Sequence, residues 1–191
     1  LTAAGEVVWV GVSPLGEPII LLSADQAADL PGVVAHELTH HVASYLFPSQ
    51  PYWFAEGLAQ FLEGVAKVDG EGRRWAGSYP AGGFVAGAVK LPRMRALVAG
   101  GESEMFTSRY LASWILYRFL WNERGRQLST YQQRLMDGAE PLRAWNDAFP
   151  EWDVPSRKID RLDNDVARYR NTGQGPRWEA KVTGADRTFS S

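Results

Sequence analysis

Cysteine is absent from all 191 residues, which excludes a disulfide framework, a thiolate metal site, an iron–sulfur cluster and a cysteine nucleophile. Any metal held by this chain is held by nitrogen and oxygen. No apolar run approaches the roughly eighteen residues that a bilayer-crossing helix requires, so no membrane span is expected. An excess of positive charge is also missing: 20 basic against 22 acidic residues give a net charge of −2. Without a positive field to hold phosphates, no nucleic acid partner is expected. The first residue is Leu1 rather than methionine, which fits a processed product whose signal peptide has been removed. The expected location is secreted or cell-envelope, with the cytoplasm as the alternative. Oligomeric state leaves no trace in the sequence.

What the chain does have is apolar and aromatic material. Hydrophobic residues make up 45%, with eight tryptophans, seven tyrosines and eight phenylalanines, enough to bury the core of one domain. Two β-branched runs, Glu6 to Val12 and Pro18 to Leu22, flank Ser13-Pro14-Leu15-Gly16-Glu17 and read as a hairpin. Asp29 is placed to cap a helix from about Leu30 to Leu46, in which Val34, Leu38, Val42, Tyr45 and Leu46 recur at helical spacing before Pro48. Beyond Pro48-Ser49-Gln50-Pro51, the stripe Phe54, Leu58, Phe61, Leu62 and Val65 predicts a second helix folded back beside the first. The glycine-rich stretch Lys67 to Gly83 reads as a long surface loop. A short helix is expected from Pro92 to Gly100-Gly101, a long aromatic one from Ser108 to Asn122, and others over Leu128 to Met136, Pro141 to Phe149 and Ser156 to Tyr169. From Asn171 the composition turns polar. The expected organisation is thus a single domain over 1–170, of mostly helical α+β class, and a weakly structured tail over 171–191 in which only Trp178 to Thr183 resembles an isolated strand.

The three histidines of the chain all lie between His36 and His41. His36-Glu37-Leu38-Thr39-His40 is an H-E-x-x-H motif, whose i, i+4 spacing stacks two imidazoles on one helix face. Zinc chemistry of this kind needs neutral imidazoles, an acidic third ligand and an open position for water. Glu37 is placed to take a proton from that water without binding the ion. The alternative is a polar helix face with no ion at all. In a metzincin, glycine would follow the second histidine by three residues and a third histidine by six; Ala43 and Leu46 stand there instead. Downstream, Glu56 lies on the second helix with the stripe Phe54, Leu58 and Phe61 rotated away from it, so its carboxylate is free to face the histidines.

The combination of His36-Glu37-Leu38-Thr39-His40 with Trp53-Phe54-Ala55-Glu56-Gly57-Leu58-Ala59 resembles the gluzincin metallopeptidases, and in particular the peptidase MA-like proteins, in which a W-x-x-E-G segment follows the zinc helix. The stretch from Ser108 to Leu120 is similar to the tyrosine-led helix that comes later in that family, and the likeness covers roughly Asp29 to Asn122. The resemblance implies a zincin-like fold with a short N-terminal hairpin or sheet ahead of the active-site helix and a helical C-terminal part. It implies a Zn2+ cofactor held by His36, His40 and Glu56, with Glu37 as general base and then acid. Tyr110 would donate to the oxyanion, and the substrate would be a peptide or protein, which an edge of the hairpin would hold in extended form. Fifteen residues, His41 to Ala55, separate the second histidine from Glu56, fewer than in thermolysin-like or aminopeptidase-like gluzincins. Glu63, two turns further on the same face, is the spare candidate for third ligand.

The supporting residues each carry two readings. Tyr110, Trp114, Tyr117 and Trp121 recur at helical spacing and form either a packed aromatic stripe or, through Tyr110, part of the site. His41 points about 100° away from His40, which suits a surface or outer hydrogen bond better than the same ion. Arg109 and Arg118 offer pairing to a substrate carboxylate or, more simply, solvated ion pairs. Trp75 and Tyr79 are candidate substrate contacts on the loop. The competing functions are a non-catalytic zincin-like domain that binds a peptide or partner, and a structural metal closing a helical bundle.

Overall fold

The computed structural model describes residues 9–12, 18–21, 30–66, 69–77, 90–100, 106–172 and 178–179. In chain order the elements are β1 (Trp9–Val12), β2 (Pro18–Leu21), α1 (Leu30–Leu46), α2 (Tyr52–Glu63), β3 (Trp75–Ala76), α3 (Met94–Val98), α4 (Phe106–Glu123), α5 (Gly125–Met136), α6 (Pro141–Ala148), α7 (Leu162–Thr172) and β4 (Trp178–Glu179). Helix dominates the described residues.

Strands β1 and β2 pair antiparallel, with Trp9 opposite Leu21 and Val12 opposite Pro18. This is the described part of the expected hairpin; Glu6 to Val8, the connection from Ser13 to Glu17, Leu22 and the expected cap Asp29 lie outside the described residues. The stretch read as a loop from Lys67 contains a strand. Asp69 accepts from the backbone N–H groups of Glu71 and Arg73 (2.9 Å each) and from the Trp75 indole (2.7 Å), closing a tight turn into β3. Strand β3 then pairs with β4, Trp75 opposite Glu179. The short strand expected to stand isolated in the tail therefore has a partner. Two-residue strands show no readable alternation, which is why neither the strand in the loop nor its pairing was apparent.

Helix α4 is buried along its middle, with every side chain from Leu111 to Leu120 withdrawn from water. A helix apolar on all sides belongs in the centre of a bundle. Against it packs α2, its most extensive neighbour, at a distance only Gly57 permits: a Cβ there would meet Ser113 O at 2.6 Å and Tyr117 Cβ at 2.7 Å. Phe54 and Phe61 of α2 are buried as their spacing predicted, and Trp53 is completely buried as well. Trp53 stacks on Tyr131 of α5 (5.6 Å) and meets Trp145 of α6 edge-on (5.6 Å). The C-terminal helices thus form the far wall against which α2 rests. Glu140 caps α6 by accepting from Leu142 N and Arg143 N, and the helix expected over Ser156 to Tyr169 divides into a 3-10 turn at Lys158–Arg161 and α7.

Helix α1 departs from the simple amphipathic expectation. The stripe that marked it as a helix faces outward: Leu38, Val42, Tyr45 and Leu46 are all substantially exposed. Its inner face carries His36, Ala43 and, just past its end, Phe47. The face of α1 turned toward α2 is the face with the histidines.

Candidate metal centre

The turn between the first two helices decides the geometry of the site. Phe47 N–H donates to Ala43 O (2.7 Å) and Gln50 N–H to Phe47 O (3.0 Å), so the chain reverses within Phe47 to Pro51. Pro51, in extended conformation, then starts α2. This places the Glu56 turn of α2 beside the His36 and His40 turns of α1. The short link from His41 to Ala55 is therefore long enough to bring the three side chains together.

His36 Nε2 lies 3.1 Å from His40 Nε2, 3.6 Å separates His36 Nε2 from a Glu56 carboxylate oxygen, and 3.4 Å separates His40 Nε2 from the other. These edges lie close to those of a tetrahedral zinc site, where ligand atoms about 2.0–2.2 Å from a common centre stand about 3.3–3.6 Å apart; the edge between the imidazoles is shorter, and each imidazole faces a different Glu56 oxygen. Two imidazoles and one carboxylate also form a suitable donor set for zinc, and the three are the one group among the described residues that meets as a possible ion cage. The residues fit the ion.

No protein-family model matches this chain. Searches of curated proteins and of solved structures likewise give no match. What the site can do is read from its own residues.

Burial pulls the His36 imidazole toward its neutral form, but the Glu56 and Glu63 carboxylates outweigh it and raise its pKa to about 9. Burial would raise the pKa of Glu56, yet its contacts with His36 and His40 lower it to about 2. Glu63 belongs to this cluster in an unexpected way. Its carboxylate lies 3.7 Å from Nδ1 of His36, on the opposite side of the ring from Glu56, so it is not a fourth member of the triangle.

Tyr110 of α4 is stacked loosely on the His36 ring, with centroids 5.9 Å apart and the planes inclined by 29°. Its environment separates it from the stripe it shares with Trp114 and Tyr117, which are fully in the core. Burial raises its phenol well above the usual range, and the Glu63 and Glu56 charges add to the shift, so the hydroxyl keeps its proton. Gln60, fully buried, donates to Tyr110 O (2.9 Å) and ties the two helices together here. Glu37, next to His36 on α1, stands outside the triangle. It is half-buried, close enough for its charge to act on both His36 and Tyr110.

Arg118, expected to be solvated, is instead buried, with its guanidinium over the Trp114 ring at 5.2 Å. Arg109 lies over the ring of Tyr52 at 4.6 Å. His41 packs edge-on against exposed Tyr45 (5.2 Å), away from the triangle. Trp75 is engaged within its own turn, by Asp69 and by Arg73 over its ring at 5.0 Å, and Tyr79 lies outside the described residues. One neighbour of Glu56 went unassigned in the sequence. Tyr52 stands one turn before Glu56 on α2, and burial first, then the Glu56 charge, raise its pKa to about 12 against the opposing pull of Arg109. The signal was available, since Tyr52 and Glu56 are an i, i+4 pair.

Proposed function

We propose that this chain is a zinc-dependent metallopeptidase of gluzincin type that hydrolyses peptide bonds. The observation that carries the reading is the triangle of His36 Nε2, His40 Nε2 and the Glu56 carboxylate, with a separate carboxylate, Glu37, next to it. A structural site needs no spare base and usually takes a fourth protein ligand; here three side chains meet, and Glu37 and Tyr110 border them.

Held by His36, His40 and Glu56, zinc supplies Lewis acidity toward a carbonyl oxygen and lowers the pKa of a water in its open position. The rest of the chemistry falls to side chains. The Glu37 carboxylate accepts a proton from the attacking water, whose hydroxyl adds to the scissile carbonyl carbon. The same proton is then delivered to the amide nitrogen as the C–N bond breaks, and the new carboxyl group passes its own proton to the released amine, leaving a carboxylate and an ammonium. The Tyr110 hydroxyl, protonated at every working pH, donates to the carbonyl oxygen as it becomes negative, so its contribution grows from ground state to transition state. The Glu56 carboxylate balances part of the ion's charge.

The test is cleavage of an unfolded protein substrate by the purified chain. Activity should vanish with a chelator and return with zinc, and Glu37→Gln should bind zinc as the parent does while failing to cleave. Zinc binding with no hydrolysis of any protein would instead identify a non-catalytic binding domain.

A further inference from the structure

Nδ1 of His36 is buried and makes no hydrogen bond within 3.5 Å. The Glu63 carboxylate lies 3.7 Å from that atom. Glu63 is itself 8% exposed, so its contact with the ring is largely shielded from water. Glu56 and Glu63 are seven residues apart, about 10 Å along the axis of α2 and on one face of it. The His36 ring bridges them, one nitrogen to each. The residue between them on that face, Gln60, donates its amide to Tyr110 O and Glu56 O, and its buried Oε1 makes no hydrogen bond to Nδ1.

We propose that Glu63 is a positioning residue for the metal site: its carboxylate accepts from Nδ1–H of His36 and fixes the ring so that Nε2 is presented to the ion. This rests on the metal reading above and assigns a role that the triangle does not contain. Two physical effects follow from the contact. A partner on Nδ1 selects the tautomer with its lone pair on Nε2, and it holds the ring's rotation, which a single bond to an ion does not. Glu63 is unsuited to be a ligand in place of Glu56, because it meets the wrong nitrogen. An ion between His36 Nε2 and His40 Nε2 has the imidazole ring between itself and the Glu63 oxygen.

Zinc dissociation constants, measured by competition with a chromophoric chelator on the full chain, test this without reference to catalysis. Glu63→Ala should weaken zinc binding by roughly 10- to 100-fold. Glu63→Gln, whose amide oxygen still accepts from Nδ1–H, should recover much of the loss, and the cobalt-substituted forms of both variants should keep the parent's tetrahedral absorption. Glu63→Asp, one methylene shorter, should fall between parent and alanine and replaces the alanine variant if that one does not fold. An unchanged affinity in Glu63→Ala, or a glutamine variant no better than alanine, overturns the positioning role. So does a lower coordination number in the alanine variant, which would make Glu63 a ligand. A parent that binds no zinc at all overturns the metal reading instead.

Discussion

His36 is the most constrained residue of the site: one carboxylate at each ring nitrogen, a phenol against its face, and the core below. In the metal-free chain its pKa, raised from 6.5 to about 9, means that its contribution to stability is complete below about 6.5 and disappears as pH climbs through about 9. That of Glu56, lowered from 4.5 to about 2, is complete above about 4.5 and disappears as pH falls through about 2. Urea unfolding without metal should therefore show the cluster's full contribution between about pH 4.5 and 6.5. Zinc requires the neutral ring, so it displaces that proton: calorimetric titration near pH 7 in buffers of different ionisation enthalpy should show about one proton released, with affinity rising toward pH 9. Tyr110→Phe removes a hydroxyl and leaves the ring against His36. Turnover should fall about 10²- to 10³-fold with thermal stability nearly unchanged, and a variant of full activity would reduce Tyr110 to packing. Glu37→Gln should lose about 10²- to 10⁴-fold in turnover at unchanged zinc affinity. At this scale the sequence was highly legible. Histidines four apart on a helix stack whatever surrounds them, whereas the Glu63 contact depends on how α2 is rotated against α1, which spacing alone does not specify.

At the scale of elements, the site is the meeting of α1 and α2, and its precision depends on how closely α2 approaches α4. Gly57 next to Glu56 permits that approach. Gly57→Ala should cost about 1–3 kcal/mol in urea unfolding, because the added methyl meets backbone at Ser113 and the root of Tyr117 rather than a flexible tip. The same displacement should weaken zinc binding, since it moves Glu56 relative to α1. An alanine variant of parental stability would mean that the helices are less tightly opposed. Long helices were readable because their periodicity is strong, as in α2 with Phe54 and Phe61. The orientation of α1 was not: Leu38, Val42 and Tyr45 give a clear helical period but lie on its exposed face, and a period fixes the element without fixing which side is inward. Strand β3 escaped notice because pairing with distant β4, rather than local pattern, creates it.

Over the whole molecule, the metal triangle and the aromatic cluster of Trp53, Tyr131, Trp145 and Phe149 are joined through α2, which carries both Glu56 and Trp53. Trp145 is fully buried, its indole donates to Trp152 O (3.0 Å), and Phe149 lies 4.5 Å from it. Trp145→Ala should destabilise the chain by about 3–5 kcal/mol, seen in urea unfolding, even though it touches none of the zinc-binding side chains. Loss of zinc affinity in a still-folded Trp145 variant would show that the C-terminal helices hold α2 in place for the site. Zinc should in turn stabilise the folded chain as a whole, by about 2.7 kcal/mol at a hundredfold excess over its dissociation constant, and a chelator should reverse that gain in calorimetry. The decisive measurement is anomalous scattering at the zinc edge from a crystal grown with the metal. One peak should lie about 2.0–2.2 Å from His36 Nε2, His40 Nε2 and a Glu56 oxygen. A zinc-replete crystal with no density at that point, or with the ion bound by other side chains, would contradict the assignment of this site.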